Sequence, residues 1–462
     1  MASPSRKWWI CGLLLLASAI NYMDRQTLAG ASVRITREMG LNQEHYGDFE
    51  AGFGGAFAVG SIVFGILADR LPLRWLYAAV VALWSAAGIA TGFAKDYHSL
   101  LWCRIFLGFF EAGHWPCGVK ATRALLDARD RSLGNGVLQS GASTGAIITP
   151  IILRFMMTDE HGSWRFAFQV VGAIGFVWLI AWLLLVRRAD FSHAAAASVS
   201  DDPDPGNESG ETSLSTRTAE RFPVNSRGSQ TPGQPAQQSS STPDGVAQST
   251  QAPDMPWHRV IFSRRMAVVL VVIALINTTW QILRAWLPKF LQEGRGYTES
   301  DQLYFTSVWF AGTDIGCLAA GALAFWLCRR GMAVMNSRLL VFGICAVLCA
   351  VTLALPYLPQ GWLLLAVLLI AGAGALGVFP IYHAFTQDLS GAHQGKVTGV
   401  AGIAAWGFSP LSQKFFGRLV DRTGSFDAGL AVAGVLPLIA LLFLVFFWKS
   451  PAPPTPEGSS AD

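Results

Sequence analysis

The chain has 462 residues and a formal net charge of +4; 52% of its residues are hydrophobic and only 14% are charged. A soluble chain of this length exposes far more charge, so the composition predicts a polytopic membrane protein, and the small net charge gives no sign of a nucleic-acid partner. The seven cysteines stand singly, without CxxC spacing or a Cys/His cluster. This pattern indicates neither a metal site nor a disulfide framework, and we expect no cofactor.

Twelve apolar runs are long enough to cross a hydrocarbon core of about 30 Å, which needs roughly 20 helical residues. Helices are expected because lipid offers no partner for an open backbone. The predicted fold is therefore all-α, with twelve transmembrane helices. The runs cover residues 8–30, 46–68, 75–94, 99–122, 133–156, 165–187, 265–288, 303–327, 338–357, 361–385, 396–418 and 428–448.

The short loops alternate in positive charge, and clusters of arginine and lysine fall on one side of the predicted membrane. The positive-inside rule places both termini in the cytoplasm. We expect an integral protein of the plasma membrane, the inner membrane of a bacterium. The clusters are Arg6/Lys7, Arg70/Arg74, Arg123/Arg129/Arg131, Arg187/Arg188, Arg264/Arg265 and Arg329/Arg330.

Residues 189–257 differ in composition from the rest of the chain. They are rich in Ser, Pro, Gly, Thr and Gln and poor in apolar residues, so we predict a disordered cytoplasmic linker. It separates an N-terminal six-helix bundle (1–188) from a C-terminal six-helix bundle (258–449), and a cytoplasmic tail (450–462) follows. Weak similarity between "GILADRLPLR" and "GALAFWLCRRG" suggests a parallel repeat, typical of transporters with a midplane substrate site between two pseudo-symmetric bundles.

Charged side chains inside predicted helices are the next feature. Each costs about 2.5–3.5 kcal/mol at the bilayer centre on insertion scales, so each needs a partner or a wet cavity. Three are acidic and three are basic, and they can neutralise one another. They are Asp24, Arg25, Arg104, Glu111, Arg284 and Asp314.

Depth along the helices suggests how these charges pair. Asp24 lies about 24 Å along the first helix at about 1.5 Å per residue, near the height expected for Arg104 on the fourth. We therefore predict that Asp24 lies close to Arg104, with Arg25 turned toward the same cavity. In the second half, Asp314 is the predicted counter-ion of Arg284.

The fourth helix also breaks the symmetry of the repeat. Aligning Pro116 with Pro380 places Leu368 opposite Arg104 and Ala375 opposite Glu111. An asymmetric pair fits a coupling device better than a purely structural salt bridge, although a structural cluster that locks helices is the alternative.

These residue types suit proton-coupled anion binding. Arginine presents a planar fork of donors that matches a carboxylate and stays charged at any relevant pH, so Arg25 and Arg104 are candidates for substrate binding. A carboxyl group between a dry cavity and an arginine can bind a proton on one side of the membrane and release it on the other, which suits Asp24 and Glu111. Further candidates for substrate contacts are Tyr22, Gln139, Gln281, Arg284, Trp309, Asp314, Tyr382 and Trp406.

"GILADRLPLR" resembles the cytoplasmic loop motif of the major facilitator superfamily, with Pro72 in place of the second glycine. The resemblance implies a cytoplasmic gate formed by Gly65, Asp69, Arg70 and Arg74. "NYMDRQTL", "RIFLGFFEAGHWPCGVKA", "LQSGASTGAIITP", "WLPKFL" and "HQGKVTG" together are similar to its anion:cation symporter branch, which includes hexuronate and galactonate transporters. That resemblance implies the same roles for Asp24, Arg25, Arg104 and Glu111.

The leading hypothesis is thus a monomeric secondary transporter that moves a sugar acid, hexuronate or aldonate, together with protons. "NYMDR" also occurs in Spinster-like lysolipid transporters, which is the main alternative; a third is a membrane sensor that does not transport. No nucleophile–base set or nucleotide loop indicates an enzyme.

Overall fold

The computed structural model describes residues 4–126, 130–191, 257–389 and 394–448. This part of the chain is helical and contains no strand. The predicted linker lies outside it except at its two edges, and so does the predicted tail.

The described residues of the first half form seven α-helices. They are α1 (Pro4–Glu38), α2 (Gln43–Arg70), α3 (Leu73–Thr91), α4 (Tyr97–Glu111), α5 (His114–Leu125), α6 (Arg131–Met156) and α7 (Ser163–Leu185). A 3-10 turn, Arg188–Phe191, follows α7.

The described ranges of the second half, from residue 257 on, form nine. They are α8 (Trp257–Ile261), α9 (Arg264–Lys289), α10 (Glu299–Arg329), α11 (Val334–Ala350), α12 (Trp362–Gly377), α13 (Phe379–Gln387), α14 (Gln394–Gly407), α15 (Ser409–Thr423) and α16 (Asp427–Phe447). A π-turn (Phe290–Gly294) extends α9, and a 3-10 segment (Val351–Tyr357) extends α11.

Three pairs of helices are single spans with a break. α4/α5, α12/α13 and α14/α15 are interrupted next to Pro116, Pro380 and Pro410, because proline lacks the N–H that an unbroken helix needs. Counting each pair once and omitting the short α8, six spans lie in each half, as predicted. Within the described ranges, nine spans are long and apolar enough to cross a membrane by length and composition. The other three are α1, α4/α5 and α14/α15.

Helix α1 is longer than predicted. It runs to Glu38 instead of ending near residue 30, so Asp24 and Arg25 lie well inside it. α1 packs most closely against α6, where a side chain at Gly145 would collide with the Ala19 carbonyl. Small residues on α6 thus permit the close approach typical of membrane helices.

The two bundles meet at one end, which we call the loop end because it carries the α1–α2 turn (residues 39–42). There the first half of α2 packs along α15, and Arg34 forms a 2.5 Å ion pair with Glu299. All the interbundle ion pairs that we identify among the described residues lie in the half of the molecule nearer this end. The opposite end, which carries residues 4 and 448, is called the terminal end.

Candidate functional site

The central ion pair joins α1 to α4. Arg25 Nε donates to Glu111 Oε2 at 2.8 Å, and a second guanidinium nitrogen donates to Asn21 Oδ1 at 2.8 Å. Glu111 is fully buried and Arg25 nearly so. The sequence predicted that Asp24 of α1 lies close to Arg104 of α4. The hydrogen-bonded pair observed between these two helices is instead Arg25 with Glu111.

Asp24 points to another side of α1. Its Oδ1 lies 3.0 Å from where a side chain at Gly88 of α3 would begin, so this glycine makes room for the carboxylate. Both carboxylate oxygens are buried without a hydrogen-bond partner in the described structure. Glu111, Arg104 and Arg25 are its electrostatic neighbours. Asp24 therefore interacts with Arg104 at a longer range than an ion pair. Arg25, the next residue of α1, points about 100° away from Asp24 around the helix axis and makes the close contact with α4 instead.

Arg104 is a fully buried cation whose three guanidinium nitrogens have no hydrogen-bond partner among the described residues. α4 approaches α2 so closely that a side chain at Gly108 would strike the Phe53 carbonyl. This contact lays the guanidinium over the Phe53 ring, 4.6 Å from its centroid. A ring face offsets part of the cost of a buried cation, but its N–H donors remain free for an anion.

Aromatic rings enclose the Arg25 guanidinium. It lies 4.7–5.4 Å from four ring centroids, and the nearest is that of Phe57. Trp406 comes from the second bundle and packs on Phe57 at 4.4 Å. The predicted residues Tyr22 and Trp406 thus do meet at Arg25, one from each bundle.

Arg284 pairs across the bundle interface. It donates to Glu50 Oε2 at 2.6 Å and to Gln281 Oε1 at 2.9 Å. The predicted pair with Asp314 is wrong, since Asp314 instead accepts a 2.9 Å hydrogen bond from Ser143 of α6. Glu50 and Ser143 both belong to the first bundle, so a pairing sought within the second half of the sequence could not find them.

The remaining predicted contacts are scattered. Tyr382 is half-buried on α13, where its ring packs against Phe379, and its nearest link to the cluster is a longer-range interaction with Tyr22. Trp309 is buried in the second bundle, where its indole donates to the Leu368 carbonyl and stacks on Trp280. Gln139 is exposed, one helical turn before Ser143. Of these three, only Tyr382 lies near the charged cluster.

The predicted gate lies at the terminal end. Asp69 is 87% exposed and has Lys120 of the same bundle at 4.0 Å, while Arg74 donates to the Leu183 carbonyl. Gly65 has open space around it. The gate stays a prediction for a conformation in which this end is closed.

Two buried charges were missed from the sequence. Glu50 is 2% exposed, and Lys289 is fully buried with its ammonium 2.9 Å from Thr36 Oγ1. Both lie at or next to the end of a predicted helix, where charged side chains are common, so neither was singled out. Asn277, Gln281 and Arg284 share a polar face of α9. This face was the feature of the sequence that could have predicted a further buried charge, Lys289, toward the loop end.

The site thus combines three buried carboxylates and three buried guanidinium groups, and their charges balance when all six are ionised. The acidic members are Asp24, Glu50 and Glu111, and the basic members are Arg25, Arg104 and Arg284. No group of three or more His, Cys, Asp or Glu residues suited to a metal ion occurs in the described ranges. Such a cluster can exchange an internal carboxylate for an external one, with a proton compensating the charge.

A family model for the Major Facilitator Superfamily matches residues 14–413. The chain belongs to the major facilitator superfamily. It is therefore an integral membrane transporter and not an enzyme. The computed fold agrees with a solved bacterial homologue of the lysosomal transporter Spinster, described as inward-facing and occupied, with a TM-score of 0.69 and 15% identity over 98% of this chain and 100% of that one.

Relatives in sequence have named substrates. The hexuronate transporter of Escherichia coli (strain K12) is 25% identical over 441 residues, covering 95% of this chain and 93% of the relative. A probable L-galactonate transporter of the same strain is 24% identical over 446 residues, covering 95% and 88%. Both of these relatives resemble the chain along almost its whole length, and both are named as transporters of sugar acids.

Proposed function

We propose that this transporter moves a sugar acid, a hexuronate or an aldonate, together with protons by alternating access. It works in the bacterial inner membrane as a monomer with both termini in the cytoplasm. Arg25 and Arg104 bind the substrate carboxylate, and Asp24 and Glu111 carry protons. The named substrates of its relatives and the chemistry of the buried cluster support this assignment.

The observation that carries the proposal is Arg104. An arginine that is fully buried with all three nitrogens free is costly, because desolvation of a charge is normally offset by a partner. A planar carboxylate matches this fork in a bidentate arrangement. The cost is explained if the partner is the transported anion.

Glu111 explains how a proton enters the cycle. Its Oε2 accepts from Arg25, while its Oε1 is buried without a partner in the described structure. When the carboxylate takes up a proton, its negative charge is lost and Arg25 is released to bind the substrate carboxylate. When the substrate leaves, the proton leaves and the ion pair forms again. Proton and anion therefore travel together.

The closed loop end supports a direction for the observed conformation. With the termini in the cytoplasm, the loop end faces the periplasm and the terminal end opens inward. Closure of the terminal end would then bring Asp69, Arg70 and Arg74 against the second bundle. This gives the predicted gate its role in the outward-facing state.

The test is uptake of labelled D-glucuronate, D-galacturonate and D-galactonate into proteoliposomes with an imposed inward pH gradient. Accumulation should occur with the gradient and should stop when a protonophore dissipates it. Uptake that ignores the gradient would exclude proton coupling. Transport of a lysophospholipid, without any sugar acid, would support the Spinster-like alternative.

A further inference from the structure

The Glu50–Arg284 ion pair joins the two bundles inside the site, at 2.6 Å. Glu50 is on α2 and Arg284 on α9, and both are almost fully buried. One turn earlier on α2, the Tyr46 hydroxyl donates to the Ala285 carbonyl at 2.7 Å. The pair therefore occupies a tight junction between the bundles.

This ion pair is incompletely satisfied. Glu50 Oε1 and one terminal nitrogen of Arg284 are buried without hydrogen-bond partners in the described structure. Arg104, whose three guanidinium nitrogens have no hydrogen-bond partner among the described residues, lies over the ring of Phe53, one helical turn from Glu50 on α2. Two guanidinium groups with free donors, one from each bundle, thus lie at the stretch of α2 that carries the Glu50 carboxylate.

The Arg34–Glu299 pair shows how a structural lock between the same bundles is built. Its guanidinium contacts both carboxylate oxygens, and one further nitrogen donates to Ser163 and to the Thr158 carbonyl. All three Arg34 nitrogens therefore have partners. A buried pair with free donors and a free acceptor is weak evidence for stability, because desolvation offsets most of its attraction.

We propose that Arg104 and Arg284 form one anion site across the bundle interface and that Glu50 is its resident competitor. The substrate carboxylate displaces Glu50 from Arg284 and bridges this arginine to Arg104. The identity of that substrate as a sugar acid rests on the proposed function; the competition does not. Substrate binding thereby replaces an internal contact between the bundles with one through the ligand.

Glu50→Gln tests the competition, since the amide keeps the shape of the side chain and removes its charge. Binding is measured by calorimetry on purified protein with D-glucuronate, D-galactonate, malonate and sulfate. The variant should bind at least one of these anions about tenfold more tightly than the original protein, because the site gains one net positive charge. The gain should vanish in Glu50→Gln/Arg284→Gln.

Glu299→Gln is the matched control, because it breaks an interbundle ion pair outside the site. Its anion affinity should stay within about twofold of the original protein, as expected for a partly exposed pair. An equal gain in this control would show that loosened bundles, rather than a vacated site, cause the effect. Glu50→Asp provides a second variant that keeps the charge and shortens its reach, with a smaller gain expected.

Three results would overturn the proposal: no gain for any of the four anions in Glu50→Gln and Glu50→Asp, a gain that survives loss of Arg284, or an equal gain in Glu299→Gln. Malonate and sulfate need no sugar pocket. If Glu50→Gln gains affinity for them while D-glucuronate and D-galactonate bind to neither protein, the anion site is supported and the sugar-acid assignment fails.

Discussion

The fourth span of the first bundle and its counterpart in the second, α4/α5 and α12/α13, share a break beside a proline but not their chemistry. α4 carries Arg104 and Glu111 in its buried face. The aligned positions on α12 are Leu368 and Ala375, which are equally buried and apolar. The repeated fold therefore supplies two similar scaffolds, and only one of the two carries buried charges at these positions.

The second bundle contributes to the site by reaching across the interface. Arg284 contacts Glu50 of α2, and Trp406 packs against Phe57 of the same helix. Because the first bundle holds most of the charge and the second bundle holds single contacts to it, any change at the charges alters how the bundles meet. In the proposed function, this difference between the halves links the protonation and ligand binding of the charged cluster to alternating access.

The largest effect is expected at Glu111. Glu111→Gln removes the proton site and weakens the hold on Arg25, while the amide can still accept its hydrogen bond. Proton-driven accumulation in proteoliposomes should fall to the level of protein-free vesicles. Exchange of internal for external labelled substrate should continue, because exchange needs no net proton movement. Accumulation that persists in this variant would remove Glu111 from the coupling step.

Sequence reasoning succeeded for the helical spans. Runs of about 20 apolar residues identified all twelve spans because lipid enforces helices of that length. The same rule placed the C-terminal end of α1 too early. Arg34 lies on a helical turn, where it contacts Glu299 of the other bundle, and not in a loop. Polar contacts between bundles extend helices beyond the apolar run.

Partners were harder to predict than positions. Asp24, Arg25, Arg104 and Glu111 do gather in one buried cluster, as proposed. Which acid meets which base depends on rotation about each helix axis and on how the bundles dock. Neither is contained in residue spacing within one helix, so Glu50 was missed and Asp314 was given the wrong partner.

The second largest effect should come from Arg104→Gln, which removes the free guanidinium. Substrate affinity should fall at least about tenfold, since a hydrogen bond to a charged group contributes roughly 1.5–3 kcal/mol. The melting temperature should stay the same or rise, because a buried cation without a partner is lost. Calorimetry and thermal unfolding in detergent measure the two quantities.

Leu368→Ala is the matched change at the aligned position of the second bundle. Loss of a buried leucine side chain should lower stability by about 2–5 kcal/mol. Substrate affinity in the folded fraction should be unchanged. If Leu368→Ala weakens binding as much as Arg104→Gln, the proposed difference between the halves is incorrect.

A smaller effect is expected at Asp314, the acidic residue that the second bundle presents to α6. Asp314→Asn keeps an oxygen that accepts from Ser143, so uptake should change by about threefold at most, or roughly 0.6 kcal/mol. The initial rate of labelled uptake under a fixed pH gradient is the measurement. A loss as complete as that of Glu111→Gln would mean that the second bundle also carries a proton.

The smallest effect should come from Glu44→Gln at the loop end. Glu44 accepts from Arg418 at 2.7 Å and lies 4.0 Å from the Lys414 ammonium. These side chains are 33–50% exposed, and such surface pairs contribute about 0.2–1 kcal/mol. Spin labels on the loop ends of α2 and α15 should therefore report at most a severalfold rise in the fraction of molecules whose loop end is open.

Raised salt should reduce the difference between Glu44→Gln and the original protein, because salt screens exposed charges. A change as large as that from losing a buried charge would show that exposed ion pairs, and not the buried cluster, hold the bundles together.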